Sequence, residues 1–211
     1  MKTTNKDGQA IGRKGAESRA RLLEATGRLL GELPSARKLT ASSIARAAGL
    51  ASQTFYLDFD DVEEILLSLS IDASYDTEDI IAALDAVWKP PALREYTEQV
   101  VDAFYRYWDR HRAILNIRNY MADRGDEPFF NARNQSALPI ITRIAARIRA
   151  AQGEDRLTER EALARAIIFF SGLERMAARY SATSGAAIMP GGEELKRAEA
   201  DILAILITHA A

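Results

Sequence analysis

The sequence has no cysteine and only two histidines among its 211 residues. The absence of cysteine excludes disulfides, thiolate nucleophiles and zinc sites with thiolate ligands. His111 and His209 lie far apart, and neither has a second histidine or a carboxylate at the spacing of metal ligands. We therefore expect no metal site and no cofactor.

Motifs of the common enzyme classes are also missing. The chain has no Gly-rich phosphate loop, no recognisable pair of catalytic carboxylates and no Ser-His-Asp order. No apolar run approaches the roughly 18 residues that cross a bilayer, and the polar, basic N-terminal segment lacks the apolar stretch of a signal peptide. We expect a soluble, cytoplasmic protein that is not an enzyme. Because catalytic groups need not be adjacent in sequence, a small helical enzyme is kept as an alternative.

Charge is distributed unevenly along the chain. The formal net charge is -2, yet residues 1–50 carry ten Lys or Arg against four Asp or Glu. Lys and Arg gain free energy by displacing counterions from phosphates, so this basic segment suits contact with a polyanion. The alternative is a charged tail that is simply solvated.

Hydrophobic periodicity predicts a wholly helical chain. Apolar residues recur at intervals of three and four over 16–33, which is typical of one buried helix face. Two short helices are predicted over 40–48 and 52–59, and residues 1–15 are expected to be mobile. No strand pattern and no repeat is evident. Further helices are predicted over about 61–84, 93–111, 113–123, 128–151, 158–180 and 193–209, with Pro139 either kinking the fourth of these or marking its start.

Residues 40–59, TASSIARAAGLASQTFYLDF, carry the most informative pattern. Thr40 is a good N-cap, and Gly49 can adopt the left-handed conformation that ends a helix and permits a sharp turn. Leu50 and Phe55 supply apolar anchors for a second short helix, whose first residues then face outward. This is the pattern of a helix-turn-helix, in which the second helix enters the major groove of DNA.

The same segment resembles the TetR family of repressors over residues 17–66. The remainder is similar only in length and helical character. The resemblance implies a homodimer, a palindromic operator and release of DNA when an effector binds the C-terminal domain. The matching residues are Thr40, Ile44, Ala45, Ala48, Gly49, Thr54, Phe55, Tyr56 and Phe59, followed by Glu63, Glu64, Ile65 and Leu66.

We therefore expect an all-α protein with a three-helix helix-turn-helix DNA-binding domain and a C-terminal helical bundle of about six helices. The expected parts are a flexible basic arm (1–15), the DNA-binding domain (16–60) and an effector-binding and dimerisation domain (61–211). The expected function is a ligand-responsive regulator, a repressor, that a small apolar or aromatic effector releases from DNA. Effector binding is expected to shift the helix over 61–84 and so to change the separation of the recognition helices.

Three positions depart from the family pattern. Val62 stands where a lysine usually contacts phosphate, Asp58 where a basic or aromatic residue is usual, and Ala51 where a small polar residue opens the recognition helix. Val62, Asp58 and Asp60 lend weight to an alternative, a helical ligand-binding or adaptor protein that has lost DNA binding. If DNA is bound, phosphate contacts depend more on the basic arm, in which we include Arg19.

The predicted DNA-binding residues lie in the arm, around the first short helix and at the start of the second. Gln53 either contacts adenine through two hydrogen bonds or is simply exposed, and Tyr56 is either a phosphate donor or part of the core. The resemblance favours DNA contact for both, while Phe55 and Phe59 are expected in the core. The full set is Arg13, Lys14, Lys38, Thr40, Ser42, Ser43, Arg46, Ala51, Ser52, Gln53, Thr54 and Tyr56.

The C-terminal part is rich in aromatic residues. Aromatic stripes at helical spacing are usually core, but as a group they favour a mostly apolar pocket between helices for a hydrophobic or aromatic ligand. The predicted effector-binding residues are Trp88, Phe104, Tyr105, Trp108, Asn116, Asn119, Tyr120, Met121, Phe130, Phe169 and Phe170.

The last two long helices carry apolar residues among small alanines. Pairing them with their symmetry mates would form a four-helix dimer interface, and internal packing is the alternative. The resemblance favours the homodimer. The residues concerned are Ile167, Ile168, Leu173, Ile202, Leu203, Ile205 and Leu206.

Overall fold

A computed structural model describes residues 13–32, 39–153, 155–179 and 191–208. These residues form nine α-helices, one short 3-10 helix and no strand, which confirms the all-α prediction. The helices are α1 (Arg13–Glu32), α2 (Ala41–Ala47), α3 (Ser52–Asp58), α4 (Val62–Tyr75), α5 (Glu78–Asp85), α6 (Leu93–Asp123), α7 (Glu127–Gln152), α8 (Glu159–Arg179) and α9 (Gly192–Thr208), with the 3-10 helix at Pro90–Ala92.

The helices divide into two compact units. Unit 1 contains the described residues up to Ala73 together with Ala113–Arg133, and unit 2 contains Ser74–Arg112 and the described residues from Asn134 onwards. Helices α4, α6 and α7 therefore each contribute residues to both units. The functional boundary expected after Asp60 stays a prediction.

Unit 1 is built around the mutual packing of α1, α2 and α3. Five large apolar side chains of this core, all fully buried, come from all three helices, from the residue after α3 and from α4. Helix α1 begins three residues before its predicted start, so Arg13, expected in the flexible arm, is helical. The five side chains are Leu22, Ile44, Phe55, Phe59 and Ile65.

The single helix expected over 61–84 is interrupted, and that prediction is wrong. Helix α4 ends at Tyr75, and α5 begins three residues later. In the gap, the Asp76 carboxylate accepts a hydrogen bond from Arg110 Nε at 3.1 Å and pairs with His111 Nε2 at 2.6 Å. The hydrogen bond from His111 is the main cause of the lowered pKa of Asp76. These contacts from α6 stabilise a break that the apolar periodicity does not reveal.

Two helices predicted over 93–111 and 113–123 are one continuous helix, α6. No glycine or proline lies between them, so nothing in the backbone chemistry requires an interruption. Pro139 lies inside α7 and does not mark its start. The capping box predicted for α8 is confirmed, because Glu161 accepts from the Thr158 backbone N–H at 2.9 Å and Thr158 Oγ1 accepts from the Glu161 N–H at 3.3 Å.

Unit 2 has an aromatic core, in which the rings of Phe104 and Phe170 meet edge to face at 5.6 Å. Long polar side chains bind helix carbonyls at its periphery: Arg112 donates to the Ala177 carbonyl at 2.7 Å, and Gln152 donates to that of Leu206 at 2.6 Å. Such bonds satisfy carbonyl groups that a helix end leaves without partners. In the described part of the chain, no helix has the length and apolar character needed to cross a membrane.

Candidate nucleic-acid interface and effector region

The turn between α2 and α3 is held by local caps and by α1. Thr40 Oγ1 accepts from the Ser43 N–H at 3.1 Å, and Ser43 Oγ accepts from the Thr40 N–H at 3.0 Å, which starts α2. Gly49 has a φ of 66°, and a Cβ there would lie 2.9 Å from Arg21 Nη2. That arginine donates to the Ala48 carbonyl. Glycine is required here by the positive φ, whereas the end of the flexible Arg21 side chain could move away from a Cβ.

Helix α3 has one buried side and one exposed side. Phe55 and Phe59 are fully buried and their ring centroids are 5.7 Å apart, so the prediction that both are core residues is confirmed. Gln53 is exposed, and Tyr56 is 51% exposed. The core contacts of one side therefore fix the direction in which the polar groups of the other side point.

Arg19, which was expected in a phosphate-binding arm, makes contacts within unit 1. Its guanidinium donates to the Asp58 carbonyl at 3.2 Å and to Ser68 Oγ at 3.1 Å, and it lies 4.1 Å from the centroid of the Phe59 ring. Arg19 thus joins α1 to the end of α3 and to α4. Asp58 is itself buried, and burial raises the pKa of its carboxyl while the nearby Arg19 lowers it.

The other predicted DNA contacts have mixed surroundings. The hydroxyl groups of Thr40 and Ser43 serve the α2 cap, whereas Ser42, Arg46, Ala51 and Ser52 are exposed and Thr54 is half-buried. The side chain of Arg13 is 94% exposed and pairs with Glu17 at 3.1 Å. Lys38 and the side chain of Lys14 lie outside the described residues.

The acidic turn before α4 serves helix capping. Asp61 Oδ1 accepts from the Glu64 N–H at 2.9 Å, and Glu64 Oε2 accepts from the Asp60 N–H at 2.7 Å. Carboxylates at a helix N-terminus also interact favourably with the helix dipole. Val62, half-buried, opens the helix directly after this turn.

The predicted effector residues are divided between the two units. In unit 1, Asn116 is exposed, Met121 is half-buried, and Asn119 Oδ1 accepts from Arg118 Nε at 3.1 Å. Tyr120 and Phe130 are exposed, and arginine side chains lie over both rings. In unit 2, Trp88 is half-buried. The remaining five are buried there, and they are Phe104, Tyr105, Trp108, Phe169 and Phe170.

Unit 2 contains a partly open cavity of about 480 Å³. Of the predicted effector residues, Trp88 lines it. The Trp88 ring stacks on that of Tyr96 with centroids 5.7 Å apart, its Nε1 donates to the Ala83 carbonyl at 3.0 Å, and the Arg147 guanidinium lies 4.8 Å from its centroid. The sequence reasoning missed the other eight lining residues, which are Lys89, Pro90, Leu93, Arg147, Ala150, Ala151, Ile207 and Thr208.

A buried carboxyl group that the sequence pattern did not reveal lies on α9. Glu199 is 7% exposed, and burial raises its pKa to about 7, although the nearby Tyr105 hydroxyl lowers it somewhat. One turn earlier, Lys196 pairs with Asp102 at 3.3 Å and lies 5.4 Å from the centroid of the Tyr105 ring. The ammonium group of Lys196 is therefore already paired with another carboxylate.

Helices α8 and α9 pack against each other and leave isoleucines exposed. Ile168 is 75% exposed, and Ile167, Ile202 and Ile205 are each about half exposed. Leu173 and Leu203 are fully buried within the chain, so placing them in an interface between two copies was wrong. Leu206 is half-buried.

Sequence comparison identifies the C-terminal part of the chain. A model of the tetracyclin repressor-like C-terminal domain matches residues 80–209, which is more than half of the chain. No curated protein of similar sequence was found. Within the described ranges, no group of three or more His, Asp or Glu side chains is arranged to hold a metal ion.

Two solved structures share the fold at low sequence identity. The fatty acid degradation regulator FadR from Bacillus halodurans has a TM-score of 0.65 and 15% identity, covering 93% of this chain and 95% of that one. The TetR family transcriptional regulator PfmR from Thermus thermophilus has a TM-score of 0.55 and 19% identity, covering 87% and 96%. This chain therefore belongs to the tetracyclin repressor-like, or TetR, family of transcriptional regulators, which bind DNA and are not enzymes.

Proposed function

We propose that the chain is a cytoplasmic, ligand-responsive repressor that binds a palindromic operator as a homodimer and leaves it when a small effector binds. DNA binding is assigned to 16–60, and effector binding and dimerisation to 61–211. The observation that carries the proposal is the two-sided α3, which anchors Phe55 in the core and exposes Gln53 and Tyr56. A short helix fixed in this way is suited to reading the major groove.

Three exposed side chains of α2 and α3 have proposed roles in binding DNA. Gln53 can donate to and accept from the N6/N7 edge of adenine, a contact worth about 1 to 3 kcal/mol of discrimination. The Tyr56 hydroxyl and the Arg46 guanidinium are assigned to phosphates, which position the helix without reading sequence. Since Arg19 is engaged inside unit 1, the remaining basic groups of this part of the chain must supply the electrostatic attraction.

A second candidate function, an adaptor without DNA binding, is favoured by Val62 in place of the usual lysine. Asp58 no longer adds weight to it, because that side chain is buried behind α3 and places no charge on the exposed side. Asp60 and Asp61 are exposed; the Asp61 carboxylate caps α4, and Asp60 donates its backbone N–H to Glu64. Selection from random duplexes separates the two functions, since an adaptor would enrich no sequence.

Dimerisation is assigned to the exposed isoleucines of α8 and α9. Ile168 and Ile202 belong to an apolar face that a second copy of the chain can cover, as closed two-fold symmetry requires of an isologous interface. Burying apolar side chains gives about 25 cal/mol per Å² removed from water. Two copies of α3 can then be set at the spacing of successive major grooves.

The effector is proposed to be small and largely apolar, and to bind in unit 2. The similar Bacillus halodurans protein is a fatty acid degradation regulator, and the lining of the unit 2 cavity includes Trp88, Leu93 and Ile207. Helix α4 contributes residues to both units, so a shift of α4 can change the separation of the two recognition helices. An effector has this influence only if it binds the DNA-competent and released states unequally.

Replacing Tyr56 with phenylalanine tests the DNA-binding surface. A hydrogen bond to a charged group is worth about 1.5 to 3 kcal/mol, so the loss of the hydroxyl should weaken DNA binding by roughly tenfold or more without unfolding the protein. Fluorescence anisotropy with duplexes from the DNA upstream of the protein's own coding sequence measures this. Tyr75→Phe is the matched control, because Tyr75 is 64% exposed on another helix. Equal affinities of the two variants would remove Tyr56 from the interface.

A further inference from the structure

We propose that the unit 2 cavity beside Trp88 binds an amphipathic organic anion, in which a carboxylate or sulfonate is joined to an apolar chain or ring. The proposal rests on the proposed function only where it identifies this ligand with the effector. The site itself is argued from the shape, the apolar surface and the charge of the cavity.

The size and surface of the cavity fit a small molecule. Its volume of about 480 Å³ is within the roughly 300 to 1,000 Å³ of typical small-molecule sites. Leu93 begins α6 and Ile207 lies near the end of α9, and together with the Trp88 ring they provide an apolar surface drawn from separate elements. Stacking on Tyr96 and the bond from Trp88 Nε1 to the Ala83 carbonyl fix the indole before any ligand arrives.

The charge of the cavity is positive. Lys89 and Arg147 line it, and none of the described residues that line it is acidic. Lys89 is exposed and forms no ion pair with the described residues. Arg147 donates to the carbonyls of Leu84 and Ala86 and lies over Trp88, so its guanidinium is held in place by neutral partners that leave its charge uncompensated.

Two carboxylates of unit 2 are already engaged by arginines. Asp85, at the end of α5, accepts from Arg143 Nε at 2.9 Å, and Asp201 on α9 pairs with Arg94 at 3.3 Å. A ligand cation would meet two like charges, and a neutral ligand would leave the two cations without a counter-ion. An anion joined to an apolar group can bind both the two cations and the apolar lining of the cavity. Its hydrogen bonds to Lys or Arg are charge-assisted, which is the stronger kind.

Three ligands that differ only in their head group test the charge preference. Isothermal titration calorimetry of the full chain with octanoate, octan-1-ol and octylammonium is expected to give the tightest binding for octanoate, by at least tenfold over octylammonium. Equal affinities for all three, or tightest binding of octylammonium, would overturn the proposal. The titration contains no DNA, so it succeeds or fails independently of the repressor function.

Two substitutions locate the binding. Lys89→Gln should weaken octanoate binding about fivefold to tenfold and leave octan-1-ol unchanged, whereas Arg106→Gln, an exposed charge on α6 that does not line the cavity, should change neither. Ala151→Trp adds an indole at an exposed lining position and should abolish binding of both ligands, with a melting temperature close to that of the unmodified protein. Undiminished octanoate binding in both Lys89→Gln and Ala151→Trp would place the ligand elsewhere and overturn the site.

Discussion

Replacing Ile168 with glutamate is expected to produce a monomer and to weaken operator binding by at least a hundredfold. Ile168 is the most exposed isoleucine of the α8 and α9 face, at 75%. In a two-fold interface the substitution brings two carboxylates into an apolar contact, and an unpaired buried charge costs several kcal/mol. A monomer then binds one half-site at a time and loses the effective concentration that links the two halves.

Sedimentation or light scattering measures the oligomeric state, and anisotropy measures the DNA affinity of the same samples. The matched control is Leu138→Glu, because Leu138 is also an exposed aliphatic residue, at 54%, but lies on α7. This variant should remain dimeric and bind DNA normally. If the Ile168 variant dimerises as well as the control, the assignment of the interface to α8 and α9 fails.

The second large effect concerns Glu199 and the dependence of stability on pH. Its pKa is raised from 4.5 to about 7 in the folded protein, mainly by burial. The folded state therefore holds this proton more tightly than the unfolded state, so the associated stability is present below about pH 4.5 and is lost as the pH rises through 7. Between pH 5 and pH 8 the loss amounts to about 2 to 3 kcal/mol.

Glu199→Gln removes this titration and should flatten the profile of unfolding free energy against pH by that amount. Relative to the unmodified protein, the variant should therefore gain stability between pH 5 and pH 8, whatever the cost of burying an amide at pH 5. Urea denaturation at fixed protein concentration gives the two values. The exposed Glu159→Gln is the control and should keep the unmodified profile. A Glu199 variant with the unmodified slope would contradict the buried environment of this carboxyl.

The helix-turn-helix could be predicted from sequence because its determinants are local. Thr40 caps α2, Gly49 takes a positive φ, and Phe55 and Phe59 are buried at the spacing of a helix. The cap of α2 and the conformation of Gly49 depend on residues only a few positions away in sequence. The TetR resemblance rests on the same residues, which is why the family could be inferred before the fold was described.

Features that depend on distant partners were not predicted. The break after α4 is stabilised by Arg110 and His111 from α6, and Arg19 is drawn into unit 1 by the Asp58 carbonyl and the Phe59 ring. A basic residue near an N-terminus looks the same in sequence whether it contacts phosphate or a carbonyl. Tertiary contacts decide between the two.

The effector region shows the same limit. The aromatic composition led to the prediction that residues such as Phe104 and Trp108 bind the effector, but both are buried in the core. The cavity is instead lined by residues that include Leu93, Arg147 and Ile207, from three different helices. Large aromatic side chains are good fillers of a core, so their presence does not locate an opening. A cavity is found where helix ends fail to fill the space between them, which sequence patterns do not report.

A salt titration of DNA binding tests the central claim most directly. Anisotropy with the protein's own upstream duplex and with a scrambled duplex of equal length should show tighter binding to the upstream sequence. The logarithm of its affinity should fall linearly and steeply with the logarithm of salt concentration, as phosphate contacts by Lys and Arg require. Equal affinity for both duplexes with no response to salt would contradict the account.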